Sequence, residues 1–99
     1  MSHRPLSAAS IRQLEDDKVV VTRWDFAPGA ETGWHHHFHD YVVVPLVDGK
    51  MLLHTAEGYN ESCVKAGVSY RGLAGVEHNV INAGTGHFAF VEIEFKESH

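Results

Sequence analysis

The sequence predicts an all-β fold, either a sandwich or a barrel of short antiparallel strands. Segments rich in β-branched and aromatic residues, such as residues 19–26, alternate along the chain with turn residues, such as residues 27–29. No window of about eleven residues or more carries the apolar stripe that an amphipathic helix requires. We therefore expect about seven or eight strands and little helix.

The last predicted strand shows the alternation of a half-buried strand most clearly, because successive side chains of a strand point to opposite faces. One face carries Ala89, Val91, Ile93 and Phe95, and the other carries Phe88, Phe90, Glu92 and Glu94. Residues 10–15 are expected to form a short strand or turn before the main strands. The predicted strands cover residues 19–26, 32–38, 41–46, 50–55, 60–64, 69–71, 77–81 and 87–96.

The length of the chain suits one domain. Its 99 residues are enough for one hydrophobic core and too few for two. We predict a single domain over residues 1–99, in which residues 1–18 are a polar segment that leads into the strands. The first 17 residues lack the apolar run of a signal peptide, and no segment approaches the roughly 18 apolar residues of a membrane span.

Charge and cysteine content narrow the partners and the compartment. The net charge of −5 disfavours nucleic acids and anionic membranes, because both require a basic face. The single cysteine, Cys63, excludes an intrachain disulfide and suits a reducing compartment, so we expect a cytoplasmic protein. We expect Cys63 itself to be a buried apolar residue.

Histidine is the unusual component, with nine in the chain and four of them between residues 35 and 39. In an extended strand, His35 and His37 point to the same side. Two imidazoles at this spacing can supply adjacent ligands to Fe, Zn, Cu or Ni. The natural third ligand is His78, which lies in another predicted strand after a glycine-rich turn.

A histidine pair alone is weak support for a metal site, because exposed strand positions can also carry histidine. His36 should face away from its two neighbours and lie at the surface. His39 shares their side only if the strand continues that far, and would then be a ligand or line the pocket. His54 should face solvent or the pocket rim.

Two glycine-framed segments resemble the two motifs of the cupin family. In the first, Gly29 is followed by five residues and then by the His35–His37 pair, and Gly49 fits the closing glycine. In the second, Gly67, Gly75, His78 and Asn82 stand at the motif spacing, with Leu73 in place of its proline. The resemblance implies a cupin double-stranded β-helix, which is a jelly-roll barrel. Residues 34–35, 40–46 and 75–82 are similar to those of the small single-domain cupins called beta-alanine degradation protein BauB.

The resemblance carries His35, His37 and His78 over as ligands of one divalent metal ion per chain. The family motif places a fourth ligand, a glutamate, with three or four residues between it and the second histidine, and those positions here hold Tyr41 and Val42. Valine cannot coordinate a metal. Tyr41 is therefore the candidate catalytic residue, as an acid, an orienting hydrogen-bond donor or a weak fourth ligand.

Three neutral histidines leave coordination positions open, as catalytic metal sites do, and leave the 2+ charge to attract an anionic substrate. Some cupin dioxygenases are similar in holding Fe(II) with three histidines. We expect a metal-dependent enzyme acting on a small anionic metabolite, with an Fe(II) dioxygenase as the leading form. The alternatives are a Zn, Ni or Mn lyase or isomerase, and a metabolite-binding cupin without turnover.

The remaining predictions concern packing and assembly. Four aromatic residues are expected to form the barrel core or, second, the walls of a pocket: Trp24, Phe26, Phe88 and Phe90. Arg23 and Arg71 could meet a substrate carboxylate, although ordinary ion pairs are the simpler expectation. Asn82 should hold a turn by amide hydrogen bonds. Small barrels expose sheet edges, so we expect a homodimer.

Overall fold

The computed structural model describes residues 6–96, which form nine strands and no helix. Residues 1–5 and 97–99 lie outside the description, and with them part of the predicted 1–18 segment. Within the described range, no helix is long and apolar enough to cross a membrane. The strands are β1 (Ala9–Glu15), β2 (Val19–Phe26), β3 (His35–His36), β4 (Tyr41–Pro45), β5 (Gly49–Thr55), β6 (Gly58–Val64), β7 (Tyr70–Gly72), β8 (Glu77–Asn82) and β9 (Phe88–Phe95).

The strands form two antiparallel sheets, which confirms the all-β prediction. The five-stranded sheet has the order β1-β2-β9-β4-β7, and the four-stranded sheet has the order β3-β8-β5-β6. Strands that are distant in sequence are neighbours in both sheets, as in β2 beside β9 and β5 beside β8. This interleaving brings His35, His37, His78 and Glu92 towards one region of the interior.

The predicted and observed strands agree where the local pattern is strong and differ at the histidines. Residues 19–26 form a strand over the whole predicted range. The predicted strand over residues 32–38 is reduced to the two residues of β3. Its continuation is lost because the chain leaves the sheet at His37, whose backbone bonds instead to the turn before β8.

Aromatic side chains fill the interior between the sheets. Phe26, Phe88 and Phe90 are 0%, 1% and 4% exposed. The centroid of the Phe26 ring lies 5.8 Å from that of the Phe88 ring and 5.4 Å from that of the Phe90 ring. Each such side chain contributes about 1.5–3 kcal/mol through burial. The core prediction for these three residues is confirmed. A Cβ at Gly49 would overlap the Phe88 ring, so glycine is required for this close approach.

Asn82 closes the same region with polar contacts. Its amide donates to the carbonyl oxygens of Phe26 (3.2 Å), Ala27 (3.3 Å) and Gly86 (2.9 Å). Its Oδ1 atom accepts from the backbone N–H of Gly84 at 3.0 Å. The predicted structural role of Asn82 is confirmed, and the bonds extend to the turn after β2 as well as the turn after β8.

The strands at one end of each sheet, β1 and β6, expose apolar side chains or the cysteine. All of β1 is exposed, including Ile11 (62%) and Leu14 (51%), and β1 pairs only with β2. Cys63 is exposed, so the expectation of a buried cysteine was wrong. It lies on β6, the end strand of the smaller sheet, and points to the solvent side of that strand.

Candidate metal centre

Three histidines from two chain segments converge at one end of the barrel interior. His35 pairs directly with His78 across β3 and β8, and His37 follows β3 by one residue. One nitrogen from each side chain lies within 4.8 Å of the other two. The Nε2 atoms of His37 and His78 are 3.2 Å apart. The structure therefore brings together all three histidines that the sequence singles out.

Backbone hydrogen bonds replace strand pairing in holding His37. Its N–H donates to the carbonyl of Val76 at 2.8 Å, and its carbonyl accepts from the N–H of Gly75 at 2.7 Å. Gly75 has a φ of 93°, a conformation that side chains disfavour. The glycine of the second motif thus shapes the turn that anchors the histidine of the first.

His35 is oriented by its own loop. Its Nδ1 atom lies 2.9 Å from the carbonyl oxygen of Gly33 and 3.2 Å from the Thr32 hydroxyl. A carbonyl oxygen can only accept, so the proton sits on Nδ1 and the Nε2 lone pair is free for a ligand bond. The side-chain oxygen of Asn79 accepts from the N–H of Gly33 at 2.9 Å and holds the loop in place.

A buried glutamate that the sequence analysis did not single out lies beside His37. Glu92, on β9, is 7% exposed, and its Oε1 atom is 3.3 Å from Nδ1 of His37. Its Oε2 atom accepts from the indole N–H of Trp24 at 3.2 Å. A signal was present, because Glu92 continues the inward face of Phe88 and Phe90, where an unpaired carboxylate would be costly.

Burial sets the charge state of the group. It lowers the pKa of His37 to about 3 and that of His78 to about 4, with nearby histidines adding to both effects. Both imidazoles are therefore neutral near pH 7, which is the form that binds metals. Burial, followed by the charge of Glu94, raises the pKa of Glu92 to about 7, against the Trp24 hydrogen bond, which lowers it.

Tyr41, the candidate catalytic residue, lies against the histidines. Its ring stacks on that of His37 at a centroid distance of 3.9 Å and an angle of 20°. It is 5% exposed, and burial raises its pKa to about 12. The hydroxyl is thus protonated near neutral pH. A Cβ at Gly72 would overlap the Tyr41 ring, so the opposite strand is shaped around this side chain.

Two cavities meet at the histidines. An inner cavity of about 20 Å³ is bordered by all three of them and by Tyr41 and Glu92. An outer, open cavity of about 310 Å³ begins at His35 and His37. Thr22, Trp24, Glu94 and Arg12 line it further out. The inner space is of the size that one ion or water occupies, and the outer one admits a small metabolite.

The other predicted site residues lie elsewhere. His36 is exposed and 3.8 Å from Glu77, as expected of a residue facing away. His39 is partly buried, stands outside the three-histidine group, and its Nδ1 atom has no partner within residues 6–96. His54 stacks on Tyr59. Arg23 pairs with Asp25 at 2.9 Å, which bears out the ion-pair expectation.

Arg71 is exposed, and like Arg23 it is not among the residues that line the two cavities. The cation that does line the outer cavity is Arg12, which pairs with Glu15 at 2.6 Å. It belongs to the polar segment before the main strands, so no pattern in the sequence places it near the histidines. Trp24 serves both predicted roles, since it packs against the core and borders both cavities.

The donor set fits a divalent metal ion. Two nitrogens that are each about 2.1 Å from one ion, at angles of 90–109°, lie about 3.0–3.4 Å apart. The Nε2 atoms of His37 and His78 have this spacing at 3.2 Å. Neutral imidazoles that border an ion-sized space are suitable ligands, so the group could hold a metal ion.

The two sheets with histidines at an open end define the chain as a cupin. A cupin domain from Bordetella pertussis is 49% identical, with a TM-score of 0.93, over 97% of this chain and 100% of that one. A cupin family protein from Methanocaldococcus jannaschii with a double-stranded β-helix fold has a TM-score of 0.76 at 11% identity, over 97% of this chain and 86% of that one. The predicted double-stranded β-helix is confirmed.

No family model matches the sequence. The beta-alanine degradation protein BauB of Pseudomonas aeruginosa is 54% identical over 96 residues, which are 97% of this chain and 100% of that protein. The chain belongs to the same family of small cupins as BauB, as the motif resemblance predicted.

Proposed function

We propose that the chain is a metal-dependent cupin enzyme that oxidises a small anionic metabolite with O₂. His35, His37 and His78 would hold one Fe(II) ion per chain. The observation that supports this most is the convergence of three imidazoles on an ion-sized space that opens into a larger cavity. Bound Fe(II) would supply redox chemistry with O₂, whereas Zn, Ni or Mn would supply Lewis-acid chemistry.

The charges around the outer cavity support an anionic substrate. A 2+ ion on the three histidines would be the strongest positive charge in this space, which Glu92 and Glu94 also border, whereas the Arg12 guanidinium on its wall is already paired with Glu15. The metal end would receive the anionic group, and Arg12 lies on the wall where it could contact a second polar group. Tyr41, as a buried protonated phenol, would donate a proton or a hydrogen bond to the substrate.

Metal content decides the first step of this proposal. We expect mass spectrometry to find about one ion per chain in protein purified without tag or chelator, because three imidazoles already face one space. His35→Ala and His78→Ala should lose the ion. His87→Ala is the matched control, since His87 is an exposed histidine that contacts Asp25. If the protein takes up no Fe(II), Zn(II) or Ni(II), the proposal of a metal-dependent enzyme fails, and a metabolite-binding cupin without turnover becomes the better interpretation.

Oxygen uptake then separates the enzyme classes. Fe(II)-loaded protein should consume O₂ with a member of a panel of small acids, thiols and diketones. Turnover that continues under anaerobic conditions would favour a lyase or isomerase. Tight binding without product would favour a binding protein.

We also propose a homodimer in the cytoplasm. The exposed strand β1, with Ile11 and Leu14 at the end of the five-stranded sheet, is a surface that a second copy could cover. The free Cys63 suits a reducing compartment. Light scattering at micromolar concentration tests the dimer, and a monomer there would refute it. Cell fractionation tests the location.

A further inference from the structure

We propose that Glu92 is a positioning residue that holds His37 by its Nδ1 atom and so directs the Nε2 lone pair of His37 to the metal. This inference rests on the proposed metal site and goes beyond its three ligands. It also assigns a carboxylate next to the site in a chain that lacks the glutamate of the first cupin motif.

Each carboxyl oxygen of Glu92 has one neighbouring group with which it can interact. Oε2 accepts the indole N–H of Trp24 at 3.2 Å, and Oε1 lies 3.3 Å from Nδ1 of His37, an ion-pair distance slightly longer than the roughly 2.7–3.2 Å of most N–H···O hydrogen bonds. Both Glu92 and His37 are more than nine-tenths buried. Because the indole nitrogen can only donate, the carboxylate is fixed in this orientation and offers Oε1 to His37.

The other contacts of His37 fix its ring but not its proton. Tyr41 covers one ring face, and the backbone is anchored to Val76 and Gly75. None of these contacts determines which ring nitrogen carries the hydrogen. The acceptor at Nδ1 does so: with the proton held there, the Nε2 lone pair of His37 is left to accept from Nε2 of His78, 3.2 Å away, or to bind a metal ion.

His35 provides an internal comparison. Its Nδ1 faces a neutral acceptor, the carbonyl of Gly33, at 2.9 Å, and Nε2 is again the free nitrogen. In both histidines of the first motif, Nδ1 thus faces an oxygen acceptor and Nε2 is left for the metal, but the acceptor is a carbonyl in one and a carboxylate in the other. A carboxylate partner makes an imidazole a stronger ligand and partly balances the charge of a bound ion, which a carbonyl cannot do to the same extent.

Glu92→Gln tests the inference because its amide has one acceptor and one donor end. The amide oxygen must stay on the donor Trp24, so the NH₂ group would face Nδ1 of His37. Nδ1 would then accept, and the ring proton would move to Nε2, where it blocks the ligand lone pair. Glu94→Gln is the matched control, since it removes the same charge two residues along the same strand face without touching His37.

Two measurements are made on each protein. Zn(II) affinity, from competition with a chromophoric chelator, should weaken by about 10- to 100-fold in Glu92→Gln and much less in Glu94→Gln. Nitrogen-15 NMR of the metal-free proteins at alkaline pH, where Glu92 is a carboxylate, should show His37 protonated on Nδ1 in the wild type and on Nε2 in Glu92→Gln. The tautomer is a readout that a purely structural role of Glu92 would not change.

The outcomes separate this inference from the proposed function. Wild-type protein that binds Zn(II), with unchanged affinity in Glu92→Gln or with His37 protonated on Nε2, would overturn the inference and leave the metal site intact. Wild-type protein that binds no metal would overturn the proposed function. In that case, or if Glu92→Gln does not fold, the wild-type tautomer still decides whether Glu92 orients His37.

Discussion

The two ends of the barrel interior are filled by different kinds of side chain, apolar at one end and polar at the other. At the aromatic end, Phe26, Phe88 and Phe90 fill the space between the sheets, and Asn82 satisfies the carbonyl groups around them. At the histidine end, the interior holds imidazoles, a phenol and a carboxyl group beside a small cavity. One strand runs through both ends, since the inward face of β9 changes from Phe88 and Phe90 to Glu92 and Glu94.

The aromatic end accounts for stability, and the histidine end for the proposed function. Burial of apolar side chains at the aromatic end stabilises the folded state. Burial of polar side chains at the histidine end costs free energy, because they lose their hydrogen bonds to water, and their contacts with one another offset only part of that cost. The aromatic end supports the end that could bind a metal, because β9 runs through both. Substitutions at the two ends should therefore affect different measurements.

The largest effect on stability is expected at the aromatic end. Phe26→Ala should lower the free energy of unfolding by about 3–5 kcal/mol, because it leaves a cavity in a core with 0% exposure at that position. Urea unfolding followed by tryptophan fluorescence measures this. Phe38→Ala is the control with the same chemistry at 76% exposure, and should change stability by less than about 0.5 kcal/mol. If both variants lost the same free energy of unfolding, the aromatic end would not be the main source of stability.

A smaller effect is expected from the polar contacts that close the aromatic end. Asn82→Ala should cost about 1–3 kcal/mol, because the carbonyl groups of Phe26, Ala27 and Gly86 lose their donor. The same unfolding measurement on Asn60→Ala, an exposed asparagine of β6, provides the comparison. An unchanged Asn82→Ala protein would show that water replaces the amide without cost.

The smallest effect is expected at the histidine end, as a pH dependence of the metal-free protein. The folded pKa values of His37 and His78 lie below 6.5, so their contribution to stability is lost as pH falls from about 6.5 towards 4. Glu92 acts in the opposite direction, because its folded pKa is raised from 4.5 to about 7 and its contribution is lost as pH rises through that range.

Because the two contributions oppose each other, the variants are more informative than the wild type. Between pH 5 and 6.5, chelator-treated Glu92→Gln should lose stability more steeply on acidification than wild type, and His78→Gln less steeply. Urea titrations at several pH values measure these slopes. Parallel slopes in all three proteins would mean that the histidine end does not retain these protonation states when folded.

The local pattern predicted much of the fold for a physical reason. Residues 19–26 are β-branched and aromatic in a strand, so their extended conformation is favoured before any packing occurs. The two motifs likewise indicate His35, His37 and His78, because their glycines determine turns that are local features. The failure at residues 32–38 has the opposite origin, since the chain leaves β3 to bond with Val76 and Gly75, which are distant in sequence.

An all-β cupin and three histidines that could hold a metal are predictable from the sequence alone, because strand alternation and motif spacing depend on near neighbours. Three facts follow from the folded structure and not from the sequence pattern: Glu92 lies beside His37, Arg12 lines the outer cavity, and Cys63 is exposed. Those facts depend on which strands are adjacent and which strand face the opposite sheet covers. Neither property is encoded in any single stretch of the chain.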